Sequence, residues 1–314
     1  MIGKNQESIN RTLLKFFKPP TQWISHITET PIKLYSKWPV LWMCSARLIG
    51  TVPDGFSENI FNWGGSGADS NRHVARAKAI TEAVERWAAI TYGLRESTKA
   101  GFELDETTTG VAAFPGKAKL ARQFALKEAI ERFIFSQVAQ SAFKIVRTRV
   151  RLWHILTRTN ALLIEFQRLY RGEDISFYYV PNSYGTQAML CKWSLPSGGI
   201  VIGYASEKTD VAAIRKSLVE AYRHRVAAEK LRSIVMPIHR IELTLKHWAE
   251  EAKQTTIQDW FERRELSSNE VVIPKNLLVD EELLGPWNPE VSIWRCLFPG
   301  TLNIKKSEKS LLYY

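Results

Sequence analysis

The stretch Ala79-Ile80-Thr81-Glu82-Ala83-Val84-Glu85-Arg86-Trp87 returns 46 residues later as Ala125-Leu126-Lys127-Glu128-Ala129-Ile130-Glu131-Arg132-Phe133. Five of the nine positions are identical, and apolar positions exchange only for apolar residues. The first half returns once more as Ser217-Leu218-Val219-Glu220-Ala221-Tyr222. On a helix, residues three and four apart share a face. Glu82, Glu85 and Arg86 therefore lie together, as do Glu128, Glu131 and Arg132, while Ile80, Val84 and Trp87 pack elsewhere.

Two exposed carboxylates one helical turn apart repel each other by roughly 0.3 kcal/mol. A dication between them reverses that sign. Magnesium takes hard oxygen ligands in an octahedron, usually a few carboxylates completed by water and nucleotide phosphates. Two such helices supply up to four carboxylates, and Glu220 a fifth. A lone E-x-x-E-R is ordinarily a solvated face in which Glu82 pairs with Arg86 at i, i+4. Two copies with matching alanines, each preceded by a glycine-containing loop, fit that explanation poorly. The arginines would neutralise surplus charge or hold phosphate oxygens bidentately.

Outward from these helices, Phe61 to Ser70 reads as a turn-rich loop, with Ser70 or Asn71 capping a helix over about 72–91. A second loop, about 105–116, precedes a helix over about 117–140. The segment 141–171 reads as helical with a basic face of Arg147, Arg149 and Arg151. Strands are expected at 175–180, 188–193 and 199–204, then a third helix over about 210–234. A polar helix at about 240–265 leads into irregular sequence. Residues 40–52 read as one or two buried strands. Before them, Pro19, Pro20, Pro31 and Pro39 punctuate a lead-in over 1–39, with a short apolar helix at about 13–17. The expected organisation is this lead-in, a core over 40–234, and a C-terminal region of the same domain over 235–314. Strands and helices alternate without a regular βαβ period, so the fold class is α/β of the mixed α+β kind.

The chain has 314 residues, 45% hydrophobic and 24% charged, which excludes disordered, collagen-like and coiled-coil classes. Lysine and arginine number 43 against 32 acidic residues, a net charge of +11. That excess favours an anionic partner: nucleotide phosphates, nucleic acid or an acidic polypeptide. No apolar run approaches the roughly 18 residues of a membrane span, and the first residues lack a secretory core. Cys44, Cys191 and Cys296 are odd in number and lack metal-ligand spacing, which suits a reducing cytoplasm. The histidines form no zinc pattern; no Walker lysine loop or full G-x-G-x-x-G occurs. Nucleic-acid binding through Arg147 to Arg151 is disfavoured against a solvated basic face.

With both glutamate helices in view, the chain resembles the YcaO family of ATP-dependent amide-activating enzymes. The family pattern is a glycine-containing segment, an A-x-x-E-x-x-E-R helix, an S/T-G-L-A-A-G loop, a second E-x-x-E-R helix, and a third helix with a basic residue and Glu. Here these stand as Gly64-Gly65-Ser66-Gly67, Ala79 to Arg86, Thr109-Gly110-Val111-Ala112-Ala113, Glu128 to Arg132, and Arg215-Lys216 with Glu220. Gly203-Tyr204-Ala205 matches a G-x-A that follows a strand.

The resemblance implies a YcaO-like fold with glutamate-bearing helices around an ATP and magnesium site. It assigns Glu82, Glu85, Glu128 and Glu131 to Mg2+, and Glu85, Glu131 and Glu220 to catalysis. Ser66, Arg215 and Lys216 would bind nucleotide with Glu82 and Glu128; Arg86 and Arg132 would contact phosphate or orient a carboxylate. The implied activity is ATP-dependent activation of backbone amides in a ribosomally made precursor peptide, giving thiazolines or oxazolines from Cys, Ser or Thr. Thioamide and amidine formation are alternatives, as is a non-catalytic peptide-binding scaffold. A separate ThiF-like recruiting protein and a flavin dehydrogenase would be partners, and a homodimer is compatible with the pattern. The chain departs from the family at Ser66, where Lys is common, at Lys78 (Ser), at Phe114 (Gly) and at Lys216 (Arg), and it lacks the proline-rich C-terminal tail of azoline-forming members.

Overall fold

A computed structural model describes residues 24–32, 41–48, 64–89, 110–140, 143–148, 170–232, 254–285 and 287–301, with single positions at 164, 166, 167 and 249. The chain divides into two compact units, Met1–Ala129 with Asn276–Pro299, and Ile130–Lys275 with Gly300–Tyr314.

In the first unit, β1 (Ile24–Ile32), β2 (Leu41–Leu48) and β3 (Gly64–Asp69) form an antiparallel sheet in that order. Helix α1 (Arg72–Ala88) packs on β2 and β3 and also meets β4 (Gly110–Pro115). Asn71 caps α1, its side chain accepting from the amides of His73 and Val74. A second antiparallel sheet has the order β4, β10 (Val291–Leu297), β9 (Val279–Leu283). Ile80, Val84 and Trp87 of α1 are buried in the core, as expected, and Trp87 meets Trp287 edge to face at 5.2 Å. Helix α2 (Ala118–Gln140) begins in this unit, and the division falls inside it.

The second unit holds the four-stranded sheet β5 (Val146–Thr148), β6 (Asp174–Val180), β7 (Gln187–Ser194), β8 (Ile200–Glu207), with α3 (Asp210–Arg232) on β7 and β8. The buried Arg225 of α3 pairs with Glu173 at 2.7 Å and lies 3.6 Å over the ring of Tyr170. Helix α4 (Gln254–Glu265) carries Arg264, whose Nε donates to the carbonyl of Val138 at 2.8 Å. It thereby serves the last carbonyls of α2, which have no partner within the helix. Burial draws this guanidinium down to about 10.

Several segments differ from the sequence reading. The turn-rich stretch before α1 contains β3, and the loop before α2 contains β4. The reason is steric. A Cβ at Gly65 would stand 2.0 Å from the carbonyl of Ala79 and 2.2 Å from the amide of Ala83. One at Gly110 would stand 2.2 Å from the carbonyl of Ala125 and 2.3 Å from the amide of Ala129. Gly203 meets Ser217 and Ala221 in the same way, at 2.1 Å each. Each strand lies with its backbone directly on a helix backbone at its glycine, and β3 and β4 are accordingly written largely in glycine and alanine rather than in β-branched residues. Likewise β5 stands inside the segment read as helical, β1 inside the lead-in, and β9 and β10 in the C-terminal stretch read as irregular. The expected helix at 13–17, and Arg149 and Arg151, lie outside the described residues.

Gly203→Ala is expected to lower stability by about 3 kcal/mol, the upper range for overpacking. Gly185 has a left-handed φ of 73° but open space around it, so its alanine variant is expected to lose only about 1 kcal/mol. Thermal unfolding of the two variants checks this; equal losses would mean that the close approach is not what limits the position.

Candidate functional site

The close approach of strand to helix brings the repeated glutamates to the strand edges. In an antiparallel ladder alternate residues face the partner strand, and the others face away. In β4, whose partner is β10, the amides of Val111 and Ala113 face the free edge. Glu128, three residues after Ala125, accepts from the Val111 amide at 3.1 Å. Glu85 of α1 accepts from the Ala113 amide at 2.8 Å. These amides are two residues apart, about 7 Å along the strand. Carboxylates from two sequence repeats thus share one strand edge.

The free edge of β3 is served by its own helix. The Ser66 amide donates to Glu82 Oε2 at 2.8 Å, and the Ser66 hydroxyl approaches the same oxygen at 3.4 Å. Arg86 donates to Glu82 Oε1 at 2.6 Å and to the carbonyl of Gly64 at 2.9 Å. Arg86 thus bridges the Glu82 carboxylate and the backbone at the start of β3.

In the second unit the free edge of β8 receives a carboxylate from the preceding glutamate helix, as that of β4 does. Glu131 of α2 is buried and accepts from the Ser206 amide at 2.7 Å. Lys216 of α3 donates to the same carboxylate at 2.8 and 3.1 Å and lies 3.9 Å from Glu207. Glu220 pairs with Arg223 at 2.7 Å and lies 3.7 Å from His224 Nε2. The other ring nitrogen of His224 faces the carbonyl of Ile202, which only accepts, so that nitrogen carries the proton. Burial holds the imidazole below its usual range, against the pull of Glu220.

The three helices therefore share one design with one substitution. Glu82, Glu128 and Glu220 occupy equivalent places, each between the two small residues that receive a strand glycine. Glu85 and Glu131 reach the third residue after a glycine on a later strand, Ala113 after Gly110 and Ser206 after Gly203. On α3 the second glutamate is replaced by Arg223, which turns back to Glu220. Arg132 follows Glu131 on α2, and Arg215 precedes Lys216 on α3; both are half-buried. Sequence reasoning missed Glu207, Arg223 and the setting of His224. Aligning the third repeat on its glycine, Gly203, would have marked all three.

Among the described residues no group of three or more His, Cys, Asp or Glu is arranged to hold a metal ion. Magnesium is usually bound by one or two carboxylates, with water and phosphate completing the shell. The donor chemistry at the strand edges, hard carboxylate oxygens beside Lys and Arg, fits magnesium carried on a nucleotide. Among the described residues no helix is long and apolar enough to cross a membrane.

No family model and no curated protein matches the sequence. Solved structures do match in three dimensions. The structure of YcaO from Methanopyrus kandleri bound with AMPPCP and Mg2+ aligns with a TM-score of 0.61 at 13% identity, over 99% of this chain and 94% of that one. A heterocyclase in complex with substrate and cofactor aligns with a TM-score of 0.63 at 11% identity; 94% of this chain covers 52% of that one, about half its length. The E. coli microcin synthetase McbBCD complex with pro-MccB17 bound supplies a third match, with a TM-score of 0.58 at 12% identity over 90% of this chain and 88% of that one. At these identities the likeness is one of architecture, and by it the chain is a protein of YcaO-like fold.

Proposed function

We propose that the chain is an enzyme that uses ATP and Mg2+ to activate backbone amides of a ribosomally made precursor peptide, closing thiazolines or oxazolines on Cys, Ser or Thr. The observation that carries this reading is the delivery of Glu85 and Glu128, from two sequence repeats, to one edge of β4. A fold shared with a YcaO bound with AMPPCP and Mg2+ and with a synthetase complex with pro-MccB17 bound supports it.

In this reading Glu82, Glu85, Glu128 and Glu131 hold magnesium. Ser66, Arg132, Arg215 and Lys216 contact nucleotide, Arg86 steadies Glu82, and Glu220 completes the acidic set. ATP supplies the phosphoryl group that makes the amide oxygen a leaving group after the substrate side chain has added to the carbonyl carbon. The protein's own contribution is positional and electrostatic: it holds acids in place through fixed backbone amides, so that little reorganisation is needed when charge develops. The net charge of +11 favours polyphosphate binding. A ThiF-like protein would recruit the precursor and a flavin dehydrogenase would oxidise azolines. Cys44, Cys191 and Cys296 are buried free thiols, compatible with a cytoplasmic setting.

A second reading, a peptide-binding scaffold without catalysis, draws support from Lys216 seated on Glu131 and Arg223 seated on Glu220. Substitution by glutamine separates the two. Gln keeps a carbonyl oxygen that can receive the strand amide, while it removes the charge and exchanges the second oxygen for an amide nitrogen. Glu85→Gln and Glu128→Gln are expected to stay folded and to bind Mg·ATP at least about tenfold more weakly, about 1.4 kcal/mol, in calorimetric titration. Phosphate release stimulated by a Cys-, Ser- and Thr-rich peptide should fall with it. Wild-type affinity in both variants would overturn the site, and nucleotide binding without peptide-stimulated phosphate release would favour the scaffold.

A further inference from the structure

The sequence repeat places a lysine four residues before the first glutamate on two of the three helices: Lys78 before Glu82 and Lys216 before Glu220. Each faces an acid four residues after the strand glycine, Asp69 after Gly65 and Glu207 after Gly203. The two pairs have equivalent places and different geometry. Lys78 donates to Asp69 at 2.9 Å and to the carbonyl of Ala68 at 3.2 Å, a closed pair. Lys216 stands 3.9 Å from Glu207 and 2.8 Å from Glu131.

The difference follows from a competitor. Glu131 arrives on β8 at the Ser206 amide, one residue before Glu207, and draws the ammonium to itself. At the equivalent amide of β3, that of Ala68, no carboxylate is recorded among the described residues, and Lys78 closes on Asp69. The first unit therefore displays a lysine at this place closed on the strand acid, with no second carboxylate competing for it among the described residues.

In the reading above, magnesium takes Glu131 away. A dication on that carboxylate and an ammonium at hydrogen-bond distance from both of its oxygens repel each other strongly at such short range. We propose that Lys216 acts as the counter-ion of Glu131 in the nucleotide-free protein and is handed to Glu207 when magnesium binds. Glu207 is the positioning residue that retains the ammonium beside the site, where it meets nucleotide phosphate. This rests on the assignment of Glu131 to magnesium and adds a role for Glu207. The Phe114–Phe124 stack of the second repeat, with centroids 5.9 Å apart, fills the same place without charge. The hand-over therefore belongs to the third repeat.

The test is Mn2+ binding to the full chain without nucleotide, followed by electron paramagnetic resonance, beside calorimetry with Mg·ATP. Lys216→Met removes the competing cation, so Mn2+ binding should tighten by about threefold, the worth of a half-exposed ion pair, while Mg·ATP binding weakens. Glu207→Gln removes the second anchor and leaves Lys216 committed to Glu131, so Mn2+ binding should weaken. Opposite signs in the two variants are the expected result, and a merely structural role for either side chain would not produce them. Shifts of the same sign, or none, overturn the hand-over. Glu131→Gln keeps the two failures apart: if it leaves Mn2+ and Mg·ATP binding unchanged, the assignment of Glu131 to magnesium fails, and the hand-over with it. If it weakens both while Lys216→Met changes nothing, the nucleotide reading stands and the hand-over falls.

Discussion

Everything in the candidate site depends on how closely three strands lie on three helices. Gly65, Gly110 and Gly203 admit no Cβ, because the carbonyl and amide groups of the opposing helix occupy that space. Ala79 and Ala83, Ala125 and Ala129, and Ser217 and Ala221 are the small residues, four apart on one helical face, that permit the contact. At a usual helix–sheet distance a glutamate side chain would end over the face of the sheet. At this distance it passes the strand and reaches the edge, where it meets an amide that the ladder leaves unpaired. Exposed strand edges are templates for unwanted pairing. Here Glu82, Glu85, Glu128 and Glu131 occupy edge amides that a foreign strand would need.

In the proposed reading this packing ties stability to function. A carboxylate that accepts from a fixed backbone amide has one oxygen oriented by the fold. The acids are therefore set before any ligand arrives, which is the condition under which electrostatic stabilisation is least costly. The counter-ions Arg86, Lys216 and Arg223 complete the arrangement: each sits on one of the repeated glutamates, Arg86 is exposed, and Lys216 lies close to a second acid, Glu207. The repeats are not equivalent in this respect. The first two helices each offer two glutamates, and the third offers one glutamate with an arginine turned onto it.

The helices were legible in the sequence because their apolar periodicity and caps are local: Asn71 and the run from Arg72 to Ala88 need no tertiary context. The repeated acids were legible for the same reason. Strands β3 and β4 were not, because the residues that make them fit a helix backbone, Gly64-Gly65-Ser66-Gly67 and Gly110-Val111-Ala112-Ala113, are those that a propensity argument assigns to turns. Strands β9 and β10 were obscured differently: β9 is five residues long with an Asp-Glu-Glu interior, and β10 lies between β4, distant in sequence, and β9, from which a proline-containing turn separates it. The partner of each glutamate is a backbone amide, which has no letter in the sequence. Only the glycine three positions before Ala113 and before Ser206 hints at it.

The most direct test of this account is residue-resolved amide chemical shifts during titration with Mg·ATP. The edge amides of Ser66, Val111, Ala113 and Ser206 should move together and saturate at one common concentration, since each is bonded to a carboxylate that the ligand engages. The amide of Gly172, in the turn before β6 at the end of its sheet away from Ser206, should stay in place. Saturable binding that leaves all four edge amides unmoved would contradict the account, because the nucleotide would then bind away from the glutamates that the strand edges hold.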